Sequence, residues 1–165
     1  MKNLLITSFL LFFFNSHAQW ISKTSCSKKA AMITNEALES RFNVEPLIAL
    51  GQARAALILD PDCGCAQILI AGLGSANKDW GSRREKLAQI DRSSLSGEEK
   101  AWYDILMASD AQIKEKLNTA LASYPNSPMF NYFSVGEDVN ASIEFAEKFP
   151  IYASPALNSI TYGYG

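Results

Sequence analysis

Histidine is almost missing from this chain: the only one among 165 residues is His17. It falls in a segment read below as a removable leader, so the working protein is expected to hold no imidazole. Serine–histidine and cysteine–histidine nucleophiles and histidine zinc sites are excluded with it. A charge excess is lacking too. Fifteen Lys and Arg against seventeen Asp and Glu leave a formal −2, no footprint for nucleic acid or an anionic membrane surface. Cysteine is sparse, at three. No apolar run reaches the roughly 20 residues that a membrane-spanning helix needs. No Walker loop, G-x-S-x-G elbow or calcium loop occurs, and Gly72-Leu73-Gly74 lacks the further glycines and the strand-to-helix setting of a phosphate loop.

What is present begins with an address. Lys2 precedes the apolar run LLITSFLLFFF at residues 4–14, and Ser16-His17-Ala18 places small residues at the −3 and −1 positions of a cleavage site. Residues 1–18 are therefore read as a signal peptide, residues 19–26 as a lead-in, and residues 27–165 as one helical domain. Cleavage leaves Gln19 as the new N-terminus, in a disulfide-permissive compartment. Cys63-Gly64-Cys65 is too tight for comfortable internal bridging, so Cys26 is expected to pair with Cys63 or with Cys65. A C-x-C without histidine is weak evidence for a metal or redox site.

The body reads as short helices with helical rather than alternating periodicity. Ile113, Leu117, Ala120, Leu121 and Tyr124 fall on one stripe, opposite Lys114, Glu115, Lys116, Asn118 and Thr119. Leu47, Leu50, Ala53 and Leu57 define a similar stripe before Asp60-Pro61. Ser96-Gly97-Glu98-Glu99 has capping-box spacing, and Ser127-Pro128 and Ser154-Pro155 place serine caps before a first-turn proline. Asp79 and Asp110 are read as further caps. The predicted helices span 27–42, 46–59, 65–77, 80–91, 97–109, 111–124, 128–136, 139–149 and 156–165. No convincing strand pair is present, so the fold class is all-α.

Internal similarity orders these helices. Ser127-Pro128-Met129-Phe130-Asn131 aligns with Ser154-Pro155-Ala156-Leu157-Asn158 at an offset of 27, and Trp102 lies 28 residues before Phe130. Ala56 precedes Pro61, and Ala120 precedes Pro125, by five residues each. Leu157-x-x-Ile160-Thr161-x-x-Tyr164 and, in part, Phe130-x-x-Phe133-Ser134 resemble the first helix of a tetratricopeptide repeat. Ala49-x-x-x-Ala53-x-x-Ala56 and Ile113-x-x-x-Leu117-x-x-Ala120, each before a proline, resemble the second.

The resemblance covers most of residues 27–165 in pieces, with repeats shorter than 34 residues and Arg83 and Leu106 at positions where small residues are expected. It implies a right-handed solenoid of antiparallel helix pairs; the alternative is an irregular α-bundle. Residues 159–165 stop inside a first helix, so the domain is expected to be incomplete at its C-terminus, either continuing past Gly165 or covered by another chain.

The chemistry is sparse. Asp60/Asp62, Glu98/Glu99, Asp104, Glu137/Asp138 and Glu144/Glu147 are read as caps and polar faces. Lys78, Arg83, Arg84 and Lys86 are read as a solvated basic face. No catalytic residue, metal ligand or cofactor is expected. In the resembled family the first helices line a concave, peptide-holding surface, which here implies Asn131 and Asn158, with Tyr162 as an addition, as partner-binding residues.

The expected function is a non-enzymatic module that binds a protein or extended peptide after export, in a bacterial periplasm, at the cell surface or outside the cell. Neither nucleic acid nor an integral membrane segment is expected once the leader is gone. The alternatives are a docking segment of an enzyme whose catalytic domain lies beyond Gly165, and a carbohydrate-binding surface protein that uses its scattered aromatics, Trp80 and Trp102 among them.

Overall fold

The computed structural model describes residues 19–73, 80–136 and 138–163. The expected leader, Lys78, the Asp79 cap and Glu137 lie outside the described residues. Among the described residues all regular structure is helical: α1 Lys28–Phe42, α2 Pro46–Leu59, α3 Gly64–Leu73, α4 Trp80–Leu87, α5 Gly97–Met107, α6 Asp110–Ser123, α7 Pro128–Val135, α8 Val139–Lys148 and α9 Ala153–Gly163. Short 3-10 turns at Arg92–Ser94 and Pro150–Tyr152 precede α5 and α9. None of these helices is long and apolar enough to cross a membrane.

Local chemistry sets the boundaries. Ser96 accepts from the Glu99 amide at 3.2 Å and the Glu99 carboxylate accepts from the Ser96 amide at 2.7 Å, so the expected capping box starts α5. Ser109, not Asp110, caps α6, and its hydroxyl donates to Gln112 Oε1 at 2.7 Å. Asp138 caps α8 through the Asn140 and Ala141 amides. Ser154 is not the cap expected of it: α9 already begins at Ala153, and the Ser154 hydroxyl donates to Asn43 Oδ1 at 3.0 Å.

Each helix packs on its neighbours in sequence from α1 to α9, and α1 also meets α3, which meets α5. The stripe expected of α6 holds, with Ala120 buried, its companions half-buried and the opposite positions exposed. The stripe expected of α2 holds in part, with Ala53 buried and Leu50 and Leu57 half-buried. Its buried residues are Ala49, Ala53 and Ala56, whereas Leu47 is 83% exposed. Shape decides the rest: alanines let α1 and α3 come close, and Leu47, Ile48, Ile58 and Leu59 turn outward.

The three aligned repeat positions also divide. Trp102 and Phe130 are buried and Leu157 is half-exposed.

The lead-in meets α1, α7 and the turn before α9. Trp20, fully buried, packs against Phe42 of α1 (centroids 4.4 Å), Tyr132 of α7 (5.7 Å) and Tyr152 before α9 (4.7 Å). Phe42 also meets Tyr132 and Phe133, at 4.9 and 5.9 Å. Rings at these spacings and tilts contribute about 0.5–1.5 kcal/mol per pair beyond their burial.

Candidate functional site

Residues 19–27 form no helix or strand, yet this lead-in is fastened along most of its length. Trp20 Nε1 donates to Glu39 Oε2 at 2.6 Å, and the Ile21 amide donates to Asn35 Oδ1 at 3.1 Å. Glu98 Oε2 accepts from the Ser22 amide and hydroxyl, both at 3.0 Å, and from the Lys23 amide at 3.2 Å. Glu99 accepts from the Ser25 amide at 3.0 Å and from the Cys65 amide at 2.9 Å. The Ser27 amide donates to Asp60, and a disulfide joins Cys26 to Cys63. Cys65 stays a free, buried thiol.

Glu98 and Glu99 are both essentially inaccessible to water. A buried carboxylate is costly unless several donors surround it, and here the donors are backbone and hydroxyl groups of distant segments. Ser127, the first residue of the expected serine-proline cap on α7, turns its hydroxyl to Glu98 Oε1 at 2.7 Å and makes no cap bond. Sequence reading placed these acids at a helix start and left their role as anchors of the lead-in unseen. It also missed Trp20.

Beside this strap lies an open cleft of about 1050 Å³ whose polar walls include Ser22, Thr24, Asn35, Glu36, Glu39 and Gln52. Asn35 and Glu39 are already engaged with the strap there. A second cavity of about 320 Å³ has different chemistry. Phe42, Trp102, Tyr132, Phe133 and Leu69 give it aromatic and aliphatic walls, and Arg41 and Arg83 bring two guanidiniums to it. Burial and then the Arg41 charge hold the Arg83 guanidinium below its ordinary value, so the two cations feel each other. Burial raises the Tyr132 phenol, which therefore stays protonated and able to donate. A concave apolar wall with a few convergent polar groups is the usual make-up of a binding pocket.

Neither Asn131 nor Asn158 is among the described residues that line this cavity. Asn131 Nδ2 donates to the Pro125 and Ser127 carbonyls at 3.0 and 2.8 Å, and its Oδ1 accepts from Lys148 Nζ at 3.0 Å. Its amide is thus committed to local bonds at the start of α7, and the adjacent Tyr132 and Phe133 face the cavity instead. Asn158 is half-buried on α9. Tyr162 lies on α9 with its side chain outside the described residues. Of the expected basic face, Arg83 lines the cavity and Arg84 donates to the Ala108 carbonyl at 2.8 Å, beyond the end of α5.

No family model matches the chain, and no curated protein or solved structure matches it significantly.

Proposed function

We propose that the chain is a non-enzymatic, tetratricopeptide-like helical module that, after export, binds an extended peptide of a partner protein. The observation that carries this reading is the 320 Å³ cavity, with Tyr132, Phe133, Phe42 and Trp102 around an apolar space and Arg41 and Arg83 beside it. Such a space suits a large aliphatic or aromatic side chain flanked by an acidic residue. Burying that side chain contributes about 1.5–3 kcal/mol, and the arginines add charge-assisted bonds to the neighbouring carboxylate. The strap supports the same reading. Asn35, Glu98 and Glu99 already hold an irregular segment by its backbone amides, and bonds to backbone amides grip a peptide regardless of its side chains.

The proposed site therefore centres on Arg41, Phe42, Tyr132 and Phe133. Asn131 joins it only by giving up bonds it already makes.

A displayed library of random twelve-residue peptides, selected on the purified protein, tests the reading. Enriched peptides should share a large apolar residue next to Asp or Glu, and Tyr132→Ala or Arg41→Glu should weaken them at least tenfold by fluorescence polarisation. An Asn131→Ala/Asn158→Ala variant separates the cavity from an asparagine ladder, because only the ladder loses affinity with it. Absence of any enriched motif, or affinity indifferent to Tyr132 and Arg41, removes the proposal.

A further inference from the structure

The face that α2 turns away from the molecule has no account in the fold. Leu47 and Ile58 are 83% and 82% exposed, Ile48 and Leu59 53% and 51%. At about 100° per residue these four, with Gly51 and Ala55 between them, form one continuous apolar strip about 120° wide. Arg54, at its edge, is the only charged residue of the helix.

Gly51 deepens the puzzle. Glycine inside a helix carries an entropic cost, and nothing in this chain requires one here. Its φ is not positive, and a Cβ built at the position meets nothing within 4 Å.

The strip is symmetric about its own centre. Counting from Ala53, Leu47 and Leu59 are each six residues away, Ile48 and Ile58 five, and Gly51 and Ala55 two. Such a pattern suits a two-fold axis, across which every contact occurs twice with the roles of the residues exchanged. We propose that α2 is the interface of a homodimer, in which two copies pair their α2 helices antiparallel about Ala53.

In that pairing each end of the contact gathers Leu47 and Ile48 of one protomer with Ile58 and Leu59 of the partner subunit. At the middle, Gly51 meets Ala55 of the partner subunit, and these small residues let the two helix axes come close. Gly51 thereby acquires a reason. The choice of a second copy over another protein rests on this self-complementary register and on charge. The strip offers nothing that would select a charged partner, and the two Arg54 side chains stay at the rim on the same side.

The footprint sets the strength. Fourteen residues make a helix about 21 Å long, which covers far less than the roughly 800 Å² per partner of a standard interface. A weak dimer follows, with a dissociation constant in the micromolar range. Added salt should tighten it by screening the paired Arg54 charges.

Sedimentation velocity on the native purified protein, from about 1 to 200 µM and in low and high salt, tests this. The expected result is a monomer–dimer equilibrium that strengthens with salt. Leu47→Glu alone and Ile58→Lys alone should each weaken dimerisation at least tenfold while leaving the circular dichroism spectrum unchanged, since both sites are exposed. Mixing these two variants should restore a heterodimer, because the antiparallel register sets the new glutamate beside the new lysine. Gly51→Ala should weaken the dimer several-fold while the monomer melts no lower.

A monomer at every concentration overturns the proposal. So does a dimer that survives Ile58→Lys, a mixture that stays monomeric, or a strip found to bind lipid vesicles or a different polypeptide in place of a second copy.

Discussion

The Glu99 carboxylate accepts the backbone N–H of Cys65 at 2.9 Å, and so ties the start of α5 to the start of α3. The same carboxylate also accepts from the Ser96 amide at 2.7 Å and the Ser25 amide at 3.0 Å. One acid thus caps its own helix and fixes both the strap and the turn that carries the disulfide.

Glu98 and Glu99 should respond differently to the loss of charge. Both oxygens of Glu99 face backbone N–H groups, which can only donate. A glutamine there must aim its own NH₂ at one of them in either orientation. Glu98 Oε1 faces the Ser127 hydroxyl instead, which can rotate from donor to acceptor. Glu99→Gln should therefore destabilise by about 3 kcal/mol and Glu98→Gln by about 1 kcal/mol. Urea denaturation of the two variants reads the difference, and equal losses would refute the distinction.

The Cys65 thiol should be inert in the folded protein. Burial first, then the neighbouring Glu99 and Glu98 charges, raise its pKa well above the ordinary 9.0. At pH 8, iodoacetamide should label no cysteine in the native chain and one after unfolding without reductant. The sign of the pH effect follows. The unfolded chain gives up this proton at a lower pH than the folded one, so it binds fewer protons as pH rises through 9.0, and stability falls. Melting temperature should drop more steeply from pH 8.5 to 10.5 in the wild type than in Cys65→Ala. Tyr132 and Tyr152, also raised by burial, act alike in both proteins and cancel in the comparison.

The strap should be worth more to stability than its irregular backbone suggests. Trp20→Ala empties a site walled by Phe42, Tyr132 and Tyr152 and should cost about 3–5 kcal/mol. The near-ultraviolet circular dichroism of the remaining aromatics should diminish with it, because Phe42 and Tyr132 lose the neighbour that fixes them. A variant that keeps the wild-type spectrum and stability would mean that the aromatic junction forms without the strap.

Breaking the Cys26–Cys63 bond tests the opposite end of the same segment. The bridge spans 37 residues, a loop whose closure stabilises by about 2–4 kcal/mol through the unfolded chain. The double variant Cys26→Ala/Cys63→Ala should lose that amount in chemical denaturation. Its Ser25 amide should stay protected from hydrogen exchange, because Glu99 still holds it. Rapid exchange there would show that the disulfide, rather than the carboxylate, orders the strap.

The helices were legible because their limits are written locally: Pro46 and Asp60-Pro61 bracket α2, Pro125 follows α6, and the Ser96 box opens α5. Which face of α2 is buried was legible only in part: Ala53, Leu50 and Leu57 turn inward as expected, but Leu47 does not, because the approach of α1 and α3 selects the alanines. The strap was illegible for another reason. Its partners Glu98 and Glu99 lie 74 to 76 residues away, and no periodicity marks an irregular segment. At the candidate site, family spacing singled out Asn131. One step further along the helix, about 100° around, Tyr132 takes the cavity while Asn131 serves the cap.

Val44 stores strain at the mouth of that cavity. The end of α1 is a Schellman motif, with the Glu45 amide bonded to the Ser40 carbonyl at 2.8 Å and the Val44 amide to Arg41 at 3.3 Å. The residue between must be left-handed, a place glycine normally fills, and here a β-branched valine sits at φ 65°. L-residues cost about 1–2 kcal/mol in this region, and Val44, 63% exposed, regains little by burial. Val44→Gly should accordingly stabilise by about 1 kcal/mol even after glycine's added freedom in the unfolded chain is counted, with Val44→Asn intermediate. Thermal melts of the three proteins should rank Gly above Asn above Val; a glycine variant that melts below the wild type would show that the valine side chain contributes more to the cavity mouth than its backbone costs.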